Sequence, residues 1–279
     1  MMKRRTVLGF GLMLGILVFG AAAFAQFLPE ELAERAKWEE FLKTAEIIAS
    51  EQMTSGAVTK PWVLTLKQGD ITKKAMWKDI TGRPQGYIDS WMYEVAGYEI
   101  DKLLGLNMVP PTVERRFKEN RGSIQLWVDD TKTLKKLNEE KIKPPSYKIY
   151  YNNRNLFLQR AFDNLIGNED RHLDNYLIGT KDWRMFLIDH SRSFRSSGKF
   201  IKQLPYTEKH PEGPMIMKEL PKAFFEKIKG LTFEQIKGAV GEYLSDDEIK
   251  AVLIRKDLII KEIDKLVAKN GAEAVLYEK

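Results

Sequence analysis

The stretch Gly167-Asn168-Glu169-Asp170-Arg171-His172-Leu173-Asp174-Asn175, continuing through Tyr176 to Ile188 and closing on Asp189, decides how the rest of the chain is read. It gathers acids, an amide and a histidine around two short apolar runs, Tyr176-Leu177-Ile178 and Met185-Phe186-Leu187-Ile188. Between the runs, Gly179-Thr180-Lys181-Asp182 has turn composition. The pattern predicts a β-hairpin with functional residues at its open end. If Tyr176 pairs with Ile188, Asn175 faces Asp189 across the ladder. An amide and a carboxylate so placed suit a hard cation. Asp170, on the loop before them, is then left for proton chemistry.

Immediately upstream, Leu156 to Ile166 reads as a core helix, with Leu158, Ala161, Phe162 and Leu165 at helical spacing and Gly167 as its C′ residue. A buried helix end would hold Asp170 on a rigid support. Downstream, the serine-rich run His190 to Lys199 reads as a mobile segment. The lysine-rich run Lys132 to Lys148, with Pro144-Pro145, reads as a solvated surface connection and the natural lobe boundary. The C-terminal part reads as helices over Lys218 to Lys229 and Thr232 to Tyr243. Ser245-Asp246-Asp247-Glu248 forms a capping box for a long helix to about Lys269.

Toward the N-terminus, residues 29 to 52 are expected to be a helix, on Pro29 in its first turn and apolar positions at Leu32, Ala36, Phe41, Ala45 and Ile48. Trp62 to Leu66 and Thr72 to Ile80 read as a hairpin. The small-residue loop around Gly56 precedes it, where backbone N–H groups can lie against phosphates; an ordinary loop is the plainer alternative. Lys78 shares a strand face with Met76 and Ile80, either snorkelling at an edge or paired in a cleft. A helix over residues 89 to 104, capped by Asp89 or Ser90 and ended by Gly105, carries Glu94 between Trp91 and Tyr98. Such a carboxylate seeks a cation, and Lys78 is the candidate; a solvated charge is the alternative. After the stiff link Val109-Pro110-Pro111, Gly122 to Val128 is a strand.

This order of parts is that of a two-lobed phosphoryl-transfer enzyme. A triphosphate needs a fixed cation (Lys78), held by a carboxylate (Glu94). It also needs a metal bridging phosphate oxygens (Asn175, Asp189), and the acceptor hydroxyl needs a base (Asp170). The expected fold is therefore α+β and bilobal, protein-kinase-like. It has a small, mainly antiparallel β N-lobe with one key helix over 26–128, and a mainly helical C-lobe over 129–279.

Two sets of motifs carry a family resemblance. Asp170-Arg171-His172-Leu173-Asp174-Asn175 with Phe186-Leu187-Ile188-Asp189 resembles the D-R-H-x-x-N … I-D-F-G pair of phosphoinositide-3/4-kinase-like catalytic domains. Gly167 to His172, and Glu94 to Gly105 followed by Val109-Pro110-Pro111, look closer to the secretory-pathway kinases of the Golgi casein kinase and four-jointed group. The resemblance runs from about Ser55 to Phe194. It implies Asp170 as catalytic acid/base, Asp189 as metal-binding aspartate, Lys78 and Glu94 as an ion pair, and Gln125, Leu126, Trp127 and Val128 as the adenine hinge. It implies ATP with Mg²⁺ or Mn²⁺ as cofactors and a secreted protein or glycan as acceptor. Asn175 matches the phosphoinositide-kinase pattern, whereas the Golgi enzymes carry another polar residue there. Asp189-His190-Ser191 departs from Asp-Phe-Gly, the Gly56 loop lacks further glycines, and the disulfides of the eukaryotic members are absent.

Composition sets the context. The 279 residues contain no cysteine and carry a formal charge of +6. Lys3, Arg4 and Arg5 precede an uncharged, largely apolar run from Thr6 to Pro29. Ala23 and Ala25 fit the small-x-small rule, so residues 1–25 read as a signal peptide cut before Gln26 and the protein as exported, periplasmic or secreted. An uncleaved membrane anchor over residues 6–25 is the alternative. Removing residues 1–25, which hold three cations and no acid, lowers the formal charge to +3. That balance does not argue for nucleic acid. Two other functions stay open on residues alone. One is a catalytically inactive kinase-fold activator, given the change after Asp189. The other is a metal-dependent hydrolase using His172 or His190, which leaves Lys78 and Glu94 without a role.

Overall fold

A computed structural model describes residues 27–54, 60–83, 86 and 88–278. Gly56 and residues 1–25 lie outside them. The chain begins with two short helices, α1 (Pro29–Ala33) and α2 (Arg35–Thr44), then forms β1 (Glu46–Gln52), β2 (Trp62–Gln68) and β3 (Ile71–Lys78). The single helix expected over 29–52 therefore ends at Ala45, whose backbone turns extended (ψ 144°). Residues 46–52 pair antiparallel with β2, with a bulge between Ile47 and Ala49. The adjacent β-branched Ile47 and Ile48 favour the ladder. Ile48, which helical spacing places on an apolar face, is 48% exposed.

Two short strands, β4 (Thr81–Gly82) and β5 (Asp89–Ser90), lead into α3 (Trp91–Leu104). Ser90 caps α3 by accepting from the Met92 N–H, and Gly105 ends it in the left-handed region at φ 64°. Next come β6 (Thr112–Phe117) and β7 (Asn120–Leu126), which complete an antiparallel sheet in the order β1-β2-β3-β7-β6. One sheet face and α2 share a core of Phe41, Leu42, Leu64, Leu66, Ala75, Trp77, Val113 and Ile124. Because side chains alternate, Lys78, Met76 and Gln125 lie on the other face.

The connection expected to be mere surface is partly built. It holds β8 (Thr131–Thr133) and α4 (Leu134–Glu139), whose Leu137 is buried in the larger core. Then α5 (Ile149–Ile166), longer than the helix expected from Leu156, runs to Gly167 in the left-handed region at φ 68°. The strands β9 (Tyr176–Gly179) and β10 (Met185–Leu187) form the predicted hairpin, with β8 on the outer side of β9. Its register is one residue short of expectation. Tyr176 pairs with Leu187, not Ile188. Pairing of β9 with both neighbours sets this register, and Asn175 thereby faces Ile188. Asp189 then leaves the ladder at φ 61°.

The remainder is β11 (Leu220–Pro221), α6 (Lys222–Gly230), α7 (Phe233–Val240), α8 (Asp246–Asn270), α9 (Ala272–Val275) and β12 (Leu276–Tyr277). The Ser245/Glu248 capping box opens α8 as predicted. The larger core joins Phe162, Leu165, Phe194, Phe224, Ile249 and Ile259 with Ala96, Tyr98, Ile100 and Leu104 of α3. So α3 lies between β3 and β6 in sequence, within the sheet segment, but packs with the C-terminal helices, at the junction of the two cores. No helix of the described residues is long and apolar enough to cross a membrane.

Candidate active site

Lys78, the last residue of β3, extends from the sheet toward α3. Its ammonium lies 2.6 Å from Glu94 Oε1 and 2.9 Å from Asp189 Oδ1. Burial alone would lower the Lys78 ammonium; the charges of Asp189 and Glu94 outweigh it and hold it well above the ordinary lysine value. Glu94 is almost fully enclosed, and its second oxygen accepts the His190 N–H at 2.8 Å. Burial would raise this carboxyl, but the Lys78 charge and the His190 bond keep it low. Asp189 likewise stays ionised against burial because Lys78 and the Ser191 hydroxyl favour its charged form. A strand end, a helix and a loop thus converge on one ammonium.

Asp170 sits on a loop that begins at the buried end of α5. Its backbone N–H donates to Asn168 Oδ1 at 3.0 Å. Asp163, one residue past Phe162 on the buried face of α5, anchors this loop. It takes both Nε and Nη2 of Arg171 at 2.9 Å, in a bidentate pair with both side chains fully buried. Arg171 Nη1 donates to the carbonyls of Asn175 at 2.9 Å and Ile188 at 2.5 Å, clamping the loop to the hairpin's open end. Buried polar groups require such partners, and here they fix both segments that carry the acids. Burial raises the Asp170 carboxyl above its ordinary value, opposed by the Arg192 guanidinium.

Asn175 does not face Asp189 across the ladder. It lies in a turn after His172, and its Nδ2 donates to the Asp170 carbonyl at 2.9 Å. That bond assigns the amide orientation and leaves Oδ1 as its metal-capable atom. Among the described residues no three His, Cys, Asp or Glu side chains form a metal-binding group. A carboxylate plus an amide is still a fitting donor set for a cation that keeps phosphate oxygens in its shell.

The strand expected as hinge ends at Leu126. Gln125 Nε2 donates to Thr112 Oγ1 at 2.8 Å, and the N–H groups of Leu126 and Trp127 donate to the carbonyls of Pro111 and Lys74. Leu126, Trp127 and Val128 also line a cavity of about 380 Å³ behind the sheet, with Phe27, Trp38 and Phe186. A larger cavity, about 1040 Å³, opens beside Asp170 and Arg192.

Asp89, read from the sequence only as a helix cap, Arg192, given no role there, and His190 complete the site. Asp89, buried beside the start of α3, accepts from Ser191 Oγ at 2.5 Å and from Arg192 Nε at 2.9 Å. Arg192 Nη1 reaches Asp170 Oδ2 at 3.2 Å. His190, the residue that replaces the aromatic of the expected motif, is fully enclosed against Phe162 and Gly97. Neither ring nitrogen has a hydrogen-bond partner, and burial keeps the imidazole below its ordinary pKa. It therefore packs as a neutral ring, and in this structure neither it nor the exposed His172 joins a metal cluster. The single local clue to Asp163 and Arg192 was their spacing, an acid on an apolar helix face and a base three residues after Asp189.

No protein-family model and no curated protein matches the chain. Solved structures do. Hydra Fam20, determined with sugar, aligns at TM-score 0.64 and 16% identity, covering 92% of this chain and 95% of that one. The Golgi casein kinase with Mn/ADP bound aligns at TM-score 0.63 and 17% identity, covering 91% and 80%. The fold is that shared by Fam20 and the Golgi casein kinase. A more distant kinase fold, the Helicobacter pylori proinflammatory kinase CtkA, aligns at TM-score 0.51 and 14% identity, covering 83% and 97%. The similarity covers nearly the whole described chain and matches the α+β architecture read from the sequence. At these identities it speaks to fold, and chemistry has to be argued from the side chains.

Proposed function

We propose that this protein is an exported phosphotransferase that moves the γ-phosphate of ATP to a hydroxyl of a protein or glycan. The observation that carries the proposal is the Lys78 ammonium held between Glu94 and Asp189 at 2.6 and 2.9 Å. A lysine held charged and oriented at the end of the central strand of a sheet suits the phosphates of a nucleotide. In this reading the sheet segment 26–128 anchors the nucleotide, with the loop at Gly56 and the strand end Gln125 to Val128 around it. The segment 129–279 supplies the chemistry.

Asp170 accepts the proton of the acceptor hydroxyl as the acceptor oxygen bonds to the γ-phosphorus and the bond to the ADP oxygen breaks. Its burial favours this role, since a raised carboxyl pKa makes a stronger base. Asp189 and Asn175 would hold Mg²⁺ or Mn²⁺, which neutralises phosphate charge. Arg192 orients Asp170 by holding Oδ2. The Golgi casein kinase with Mn/ADP bound supports this cofactor choice by likeness of fold. The signal-like N-terminus supports export.

The test is γ-phosphate transfer or ATP hydrolysis by the purified protein, with thermal shift by ATP and Mn²⁺. Asp170→Ala should abolish transfer while keeping nucleotide binding. Asp189→Ala should lose both transfer and metal-dependent stabilisation. A parent protein that neither turns over nor is stabilised by ATP with metal would refute the proposal.

A further inference from the structure

Half of the large apolar side chains that stand exposed lie in one short segment. Of ten such residues among the described ones, five fall within 142–151: Ile142, Tyr147, Ile149, Tyr150 and Tyr151. Tyr147 is 71% exposed and Tyr151 61%. Scattered exposed apolar residues are ordinary, but a contiguous cluster marks a contact surface. The segment spans the start of α5 and the Pro144-Pro145 turn before it.

The cations around this cluster are distinctive. Lys132 and Lys135, just upstream, are each paired with an acid. Lys141, Lys143 and Lys148 have no ion pair among the described residues, and the chain carries no Asp or Glu from Lys141 to Phe162. The face is therefore aromatic, aliphatic and positively charged without compensation. It is also held in shape. Arg154 stacks between the Tyr150 ring at 4.3 Å and the Tyr277 ring at 3.5 Å, and is itself fixed by Glu219 at 2.9 Å. Tyr150 and Tyr151 meet edge to face at 5.9 Å.

We infer that residues 141–151 dock the protein on the surface of an anionic lipid bilayer. Tyrosine rings suit the headgroup level, where one end is apolar and the other wet, and the isoleucines enter the acyl boundary. The unpaired lysines are drawn to anionic headgroups. A second copy of the chain fits less well, because a two-fold contact would set the same uncompensated lysines against each other. A neutral glycan would use the rings but not the charges. The 18-residue helix α5 runs about 27 Å from this face to the loop bearing Asp170, so docking leaves the cleft clear. The inference does not rest on the phosphotransferase reading.

Because the chain contains no cysteine, one probe can be placed at will. Ser146→Cys in the full chain, labelled with an environment-sensitive dye, reports contact at the face itself, whatever residues 1–29 do. Ser50→Cys on β1 is the control position. Vesicles of phosphatidylglycerol and phosphatidylcholine should shift the Ser146 label to the blue, and pure phosphatidylcholine and the Ser50 label should show no such shift. High salt should reverse it. Replacing Lys141, Lys143 and Lys148 together by Gln should raise the lipid needed for half-saturation about a hundredfold, at about fivefold per lysine. Tyr147 and Tyr151 changed to Ser, with Tyr150 left stacked on Arg154, should remove most of the blue shift with an unchanged melting temperature. The inference is overturned by no shift on anionic vesicles, by an equal shift on neutral ones, or by a lysine variant that titrates like its parent. A shift that grows with protein concentration in the absence of lipid overturns it in favour of self-association.

Discussion

Lys78→Met removes the ammonium while keeping the apolar stem, and it tests the centre of the site by stability alone. Two carboxylates lose their cation. Glu94 has a side chain only 4% exposed, so its charged hydrogen bond is worth about 1.5–3 kcal/mol. The Asp189 side chain is 37% exposed, so solvent screening reduces its arm to about 0–1 kcal/mol. The expected loss at neutral pH is therefore about 1.5–4 kcal/mol. Its pH dependence carries the sign. In the parent protein both carboxyls are held below their ordinary values, so their stability is present above about pH 4 and fades as pH falls through the folded values. In the variant, Glu94 is buried without a cation and its pKa rises above the unfolded value, so the variant loses stability as pH rises past about 4. The gap between the two proteins should be small near pH 3.5 and widen toward pH 7. Adding Glu94→Gln should recover more than half of it, because a neutral amide tolerates burial and still accepts the His190 N–H. Urea unfolding at pH 4, 5.5 and 7, with unchanged m-values, measures this. A gap below about 0.5 kcal/mol at pH 7, or one that narrows as pH rises, would refute the ion-pair account.

Two further predictions address the supports of the site. Asp101 on α3 accepts the N–H groups of Met108 and Val109 through Oδ1, while its Oδ2 is buried without a partner. Burial lifts this carboxyl to about 7. A folded pKa above the unfolded one means that stability falls between about pH 4 and pH 7, by up to about 4 kcal/mol. Asp101→Asn keeps the acceptor and should flatten that part of the melting-temperature profile; an unchanged slope would show that Asp101 does not titrate there. Gly122 lies where a Cβ would overlap the Lys78 carbonyl oxygen and meet the Trp77 ring at 2.7 Å. Gly122→Ala should cost about 2–3 kcal/mol in urea unfolding, by forcing β3 and β7 apart. Gly230→Ala, with nothing within 4 Å of its added methyl, should cost under about 1 kcal/mol.

The sequence read best where the physics is local. Ser90 and Gly105 bound α3, Gly167 ends α5, and Ser245 with Glu248 opens α8, because each cap is a bond or a backbone conformation set within four residues. The pairing partner proposed for Glu94 was legible from two flanking aromatics, since a carboxylate among large rings needs a cation. The hairpin was legible as a hairpin, but its register was not. The register depends on β8 and on the five residues between its strands, and a one-residue shift turned Asn175 from Asp189 toward the Asp170 carbonyl. The break at Ala45 was invisible for a related reason: apolar spacing fits a helix, yet residues 46–52 gain more from the open edge of β2.

The order of residues along the chain sets the chemical groups and the caps that bound the helices presenting them. Tertiary structure decided which groups meet. Lys78 and Asp189 are 111 residues apart, and Asp89 and Ser191 are 102. Asp163 becomes an anchor only because Arg171 is buried against it. His190 becomes a neutral packing ring only because Gly97 leaves it room. Charge pairing and burial depend on distance in space, and no local spacing rule encodes the approach of segments so far apart in the chain.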